Sequence, residues 1–141
     1  MDDFEEGSAI TIEIIADDDG SPVLQTSTTI KVLITGDNLF PPTFQAPTTR
    51  IYIREDEQIG TEIITVRATD RDAGVNGYVT YHIVSDTDPE EMFSIDKTSG
   101  SIYVEKSLDY EKIPIYNIIV EARDQGFIYK SSTSSVKVIL Q

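Results

Sequence analysis

Cysteine and tryptophan do not occur in this 141-residue chain, and histidine occurs once, as His82. Without cysteine there is no disulfide framework and no thiolate metal site. His82 falls mid-strand between two inward-facing positions, Tyr81 and Ile83, and is expected to face solvent. Zinc chemistry and a histidine general base are therefore unsupported. Basic residues are scarce too, 11 against 25 acidic ones, for a net charge of −14. That excess disfavours a polyphosphate backbone or an anionic membrane and favours cations. No apolar run is long enough to span a bilayer, and Met1-Asp2-Asp3-Phe4 does not read as a signal peptide.

What is present is a repeat. Asp3-Phe4-Glu5 returns 106 residues later as Asp109-Tyr110-Glu111. Ile10, Ile12 and Ile14 return as Tyr116, Ile118 and Val120, and Ala16-Asp17-Asp18-Asp19-Gly20 as Ala122-Arg123-Asp124-Gln125-Gly126. Thr26 to Val32 return as Ser132 to Val138 without a gap. A period of this length means tandem domains rather than a short-repeat solenoid. One full period and the last third of another fit within the chain. Residues 1–35 read as the C-terminal strands of a preceding unit, 36–42 as a linker and 43–141 as a complete unit.

Period-2 alternation dominates: Ile10/Ile12/Ile14, Ile30/Val32/Ile34, Ile64/Val66/Ala68, Val79/Tyr81/Ile83 and Val136/Val138/Leu140 each place apolar residues on one strand face. Turn signals at Asp19-Gly20-Ser21-Pro22, Asn76-Gly77, Ser99-Gly100 and Asp124-Gln125-Gly126 separate the runs. The fold class is all-β, a seven-stranded Greek-key β-sandwich preceded by two strands of another. The seven strands are expected near 48–54, 61–69, 77–84, 92–95, 101–105, 113–123 and 130–140, and the two earlier ones near 9–18 and 24–35. Gly36 to Pro42 lacks alternation and carries two prolines, as a short stiff linker does.

Acidic residues gather where strands end. Asp70, Asp72 and Asp124 close strands at one pole of the sandwich, with Asn76 in the loop beside them. Glu55, Asp109 and Glu111 fall at the other pole. Like charges in a cluster raise the free energy unless a counter-charge neutralises them. A hard divalent cation with six to eight oxygen ligands, calcium above all, suits such a set.

The order of these motifs resembles cadherin extracellular repeats, of the long non-classical or protocadherin-like kind, over essentially the whole chain. Pro42-Thr43-Phe44 opens the repeat, followed by Glu55, Ala68-Thr69-Asp70-Arg71-Asp72, Asn76-Gly77 and Tyr81. Phe93-Ser94-Ile95-Asp96, Gly100-Ser101-Ile102, Leu108-Asp109-Tyr110-Glu111 and Ala122-Arg123-Asp124-Gln125-Gly126 complete it.

The resemblance implies a calcium-binding extracellular module of a cell-adhesion protein, in which ions between successive repeats stiffen the ectodomain. It implies a lower ion held by Asn38, the Phe40 carbonyl, Asp70, Asp72, Asn76 through its carbonyl, and Asp124. Asp3, Glu5 and Asp37 correspond to upper-ion positions, and Glu55, Asp109 and Glu111 to half of the next junction. The linker departs from the family pattern Asp-x-Asn-Asp-Asn, reading Gly36-Asp37-Asn38-Leu39-Phe40. Leu39 brings no oxygen where an aspartate would serve the upper ions, so one calcium is expected to bind well and two poorly. A one-residue insertion would instead align Asp37-Asn38 with the final Asp-Asn, but it breaks the register running from Ile30, Val32 and Ile34.

The implied partners are other cadherin ectodomains, homophilic or heterophilic. Nucleic acid and direct membrane contact are not expected, and the location is the ectodomain of a single-pass cell-surface protein. The partial unit could pair with the same hairpin of a second copy. An alternative is a cadherin-like or immunoglobulin-like sandwich of a microbial adhesin or carbohydrate-binding protein. An enzyme is disfavoured, because no acid–base pair in a cleft is implied. Asn38, Asn76 and Asn117 all lack a serine or threonine two positions on, so N-glycans are not expected.

Overall fold

In the computed structural model, residues 9–34 and 36–141 are described. The chain divides after Asp37 into two compact units, and nearly all regular structure is strand.

The N-terminal unit is a hairpin of β1 (Ala9–Asp17) and β2 (Gln25–Leu33), antiparallel from Ala9↔Leu33 to Asp17↔Gln25. Asp18 shapes its turn: one carboxylate oxygen accepts the N–H groups of Gly20 and Leu24, both at 3.0 Å. Those two bonds hold its pKa below the ordinary carboxylate value, the Leu24 bond most strongly.

The second unit contains β3 (Thr43–Phe44), β4 (Thr48–Ile53), β5 (Glu62–Thr65), β6 (Ala68–Thr69), β7 (Thr80–Ile83), β8 (Phe93–Ile95), β9 (Ser101–Val104), β10 (Ile115–Arg123) and β11 (Ser131–Leu140). One sheet has the order β4-β11-β10-β7, with β4 parallel to β11. The other main sheet has the order β5-β9-β8, and β3 pairs with β6. The core lies between the inner faces, where alternation makes one side of each long strand apolar. Ile118, Val120 and Ala122 of β10 and Val136 and Val138 of β11 are fully buried, against Ile102 and Val104 of β9 and the rings of Tyr81 and Phe93. Each isoleucine or valine so buried contributes about 1.5–3 kcal/mol.

The repeat read in the sequence recurs in the backbone pairing. All nine pairs of β1–β2 become the nine of β10–β11 when both partners advance by 106, so Ile12↔Ile30 corresponds to Ile118↔Val136. The surroundings differ. Ile12 and Ile30 are 46% and 45% exposed, whereas Ile118 and Val136 are 0%.

Two strand expectations change. Instead of seven continuous strands, the described residues from 43 onward form nine shorter ones. The run expected as one strand at 61–69 changes pairing partner midway. β5 pairs with β9, but Val66 donates its N–H to the Gly100 carbonyl (3.0 Å), and β6 then pairs with β3. Gly100 permits this crossing because its φ is +76° and a Cβ there would overlap the Val66 carbonyl. The strand expected from 77 begins at Thr80, because Gly74–Gly77 form a 3₁₀ turn. The buried Tyr81 hydroxyl ties the sheets together by accepting the Ala68 N–H at 2.8 Å. His82 is half-buried opposite Glu121 rather than facing solvent, and burial, then Arg123 and Lys97, lower its pKa.

The paired register gives a matched comparison. Ile118→Ala should lower the urea-unfolding free energy of the second unit by about 2–5 kcal/mol through lost burial and a residual cavity. Ile12→Ala, at the twin position, should change it by less than about 0.5 kcal/mol, as substitutions outside a unit's core do.

Candidate metal centre

The residues read as a lower-ion set all belong to the second unit, Asn38–Gln141. Asp70 follows β6 directly, and Asp124 follows β10. Asn76 lies in the 3₁₀ turn at Gly74–Gly77, and Asn38 and Phe40 lie in the segment leading to β3. Asn76 is 2% exposed and Asp124 is 3% exposed, and the large majority of polar groups buried to that extent are hydrogen-bonded.

Asp124 is the hub. Its Oδ1 accepts the Gly126 N–H at 2.9 Å, and its Oδ2 accepts the Lys130 N–H at 2.9 Å. The same Oδ2 accepts from Asn38 Nδ2 at 2.9 Å, and that nitrogen also donates to the Ile128 carbonyl at 3.1 Å. Both partners of Nδ2 are acceptors, which fixes the amide's orientation. Asn38 Oδ1 is then left buried with no hydrogen-bond partner.

The neighbouring loop repeats this pattern. Asp70 Oδ1 accepts the Asp72 N–H at 2.8 Å, while Asp70 Oδ2 is buried without a partner. Asp72 Oδ2 accepts the N–H groups of Leu39 and Phe40, each at 2.9 Å. The 38–40 segment is thus held to both loops. Two cations flank it: Lys130 Nζ donates to the Leu39 carbonyl at 2.7 Å, and the Arg71 guanidinium lies 5.6 Å from the centre of the Phe40 ring.

Gly126 shows how tightly these groups converge. A Cβ there would overlap Asn38 Nδ2 and stand 3.1 Å from both Asn76 Oδ1 and Asp124 Oδ1. Carboxamides and a carboxylate therefore surround one point. Among the described residues, no three carboxylate or imidazole groups come together closely enough to hold an ion by themselves. Asn76 and Asp124 present oxygens to this point, and Asn38 presents its amide nitrogen.

The other predicted residues fall elsewhere. Glu55, Asp109 and Glu111 line one open hollow with Glu90, Lys106 and Lys112. There Glu55 Oε2 accepts the Tyr110 N–H at 3.0 Å, and Asp109 Oδ1 accepts the Lys112 N–H at 3.2 Å. Asp37 is exposed and belongs to the N-terminal unit. Asp3 and Glu5 lie outside the described residues.

Sequence reasoning missed three participants. Gly126 was legible only as part of a turn and motif, Ile128 takes part through its backbone, and Lys130 stands in no motif. Gly126→Ala should force Asn38 from its seat and lower the stability of the second unit by about 1–3 kcal/mol. Urea denaturation measures the loss, and a shift of the Asn38 side-chain amide resonance locates it.

The family model of the cadherin domain matches residues 49–141. Protocadherin Fat 4 from Homo sapiens is 40% identical over 138 residues, covering 98% of this chain and 3% of that protein. Protocadherin gamma-B7 from Homo sapiens is 36% identical over 140 residues, 99% of this chain and 15% of its own length. The solved structure of the protocadherin GammaB4 extracellular domain aligns with a TM-score of 0.70 and 29% identity, covering 94% of this chain and 22% of that one. The chain thus spans a small fraction of the relatives it matches. On the domain match, the β-sandwich and these relatives, the chain belongs to the cadherin family and is an extracellular repeat of the cell-adhesion type.

Proposed function

We propose that the second unit is a calcium-binding repeat that takes up one ion through Asn38, Asp70, Asp72, Asn76, Asp124 and the Phe40 carbonyl. One observation carries this reading: Asn38 Oδ1 and Asp70 Oδ2 are both buried and both lack a hydrogen-bond partner. Each such atom costs about 1–3 kcal/mol if it stays unsatisfied. A hard cation accepts electron density from both oxygens at once and neutralises the surrounding carboxylates.

The bound ion supplies a positive centre for otherwise repelling oxygens. The chain's own residues do the positioning. Asp124 and Ile128 orient the Asn38 amide, and Asp72 holds the backbone of Leu39 and Phe40. Fixing the 38–40 segment stiffens the passage from one repeat into the next, the mechanical act by which an ectodomain of such repeats stays extended. Residues 1–35 are read as the end of a preceding repeat, a reading supported by the constant shift in strand register.

Leu39 has no side-chain oxygen to offer, so the two further ions of the family pattern lack a ligand here. Glu55, Asp109 and Glu111 serve as half of a following junction. The natural partners are other cadherin ectodomains at a cell surface.

Calorimetric titration of the chain with calcium should give about one ion per chain. At a calcium concentration about 100 times Kd, the second unit should gain about 2.7 kcal/mol of stability, lost again in chelator. Asp70→Asn should weaken binding at least about tenfold without lowering stability in chelator, since it removes the charge but keeps the shape. No uptake at millimolar calcium, or three ions of equal affinity, contradicts the reading.

A further inference from the structure

The loops that follow β1 and β10 share one pattern of hydrogen bonds around an aspartate. In the first, Asp18 accepts the N–H groups of Gly20 and Leu24 and donates its own N–H to the Leu24 carbonyl. In the second, Asp124 accepts the N–H groups of Gly126 and Lys130 and donates its N–H to the Lys130 carbonyl. The loop fold therefore needs only the backbone of this position, and leucine serves as well as lysine. The lysine side chain is free for another task.

That task is visible in its contact. Lys130 Nζ donates to the Leu39 carbonyl at 2.7 Å, while Asn38 Nδ2 donates in the opposite sense to the Ile128 carbonyl at 3.1 Å. The two bonds lace the 38–40 segment and the 124–130 loop together from both sides. Leu39 lies between Asn38 and Phe40, so the ammonium rests on the backbone between two proposed ion ligands.

We propose that Lys130 is a built-in cationic brace. It seats residues 38–40 on the sandwich without a divalent ion, and its charge weakens the affinity of the neighbouring oxygen set for calcium. The first effect follows from a charge-assisted hydrogen bond to a carbonyl. The second follows from repulsion between two positive centres at short range and rests on the calcium reading above. The junction is thereby tuned to depend less on calcium than its oxygen set alone would make it.

The test replaces Lys130 by the residue its twin position carries. The amides of Leu39 and Phe40 both donate to Asp72 Oδ2 and report directly on the seating of the segment. With the whole chain in chelator, their hydrogen exchange should speed up about fivefold or more in Lys130→Leu, and Lys130→Arg should restore slow exchange. In calorimetry, Lys130→Leu should bind calcium about three- to tenfold more tightly than the parent chain. Exchange that is unchanged in chelator overturns the brace. Calcium affinity that is unchanged, where the parent chain clearly binds the ion, overturns the charge effect. If the parent chain binds no calcium, the calcium reading falls, while the exchange result still decides the brace.

Discussion

One buried carboxylate organises the end of the sandwich at which the 38–40 segment arrives. Asp124 collects N–H groups from Gly126 and Lys130 of its own loop and the side-chain amide of Asn38, which lies 86 residues earlier. Those bonds shape the loop and seat the incoming chain at the same time. Asp124 and the Ile128 carbonyl together orient the Asn38 amide, which leaves its Oδ1 buried without a partner. The crowding against Gly126 and the contact of Lys130 with Leu39 both depend on where Asp124 holds its neighbours.

The electrostatics follow from the same arrangement. Asp72 and Asp124 both bond to the 38–40 segment, and Asp70 bonds to Asp72, in a chain whose net charge is −14. Backbone N–H groups take up part of that charge, and Arg71 and Lys130 lie beside the incoming segment. These fixed donors do not reach Asn38 Oδ1 or Asp70 Oδ2. On the proposed calcium reading, a small, hard cation would satisfy those two oxygens.

Much of the fold was legible because alternation is strongest where one face is buried. The strands expected at 113–123 and 130–140 are β10 and β11 to within two residues, since Ile118, Val120, Val136 and Val138 all point into the core. The run at 61–69 was misread because alternation does not reveal which sheet a strand joins. Its apolar spacing continues across Val66, while the hydrogen bonds pass from β9 to the Gly100 carbonyl and then to β3. At the site, Asp70, Asp72, Asn76 and Asp124 were readable from their positions at strand ends and from family resemblance. Gly126 and Ile128 act through a missing side chain and a backbone carbonyl, neither of which announces a role in a sequence. Lys130 could have been found, because it differs in charge from Leu24 at the matching place of the repeat.

The most direct measurement is anomalous diffraction from crystals of this chain grown in calcium. The account predicts a single strong peak about 2.3–2.6 Å from both Asn38 Oδ1 and Asp70 Oδ2. A map in which those two oxygens face only protein N–H groups or water, with no anomalous signal between them, would contradict it.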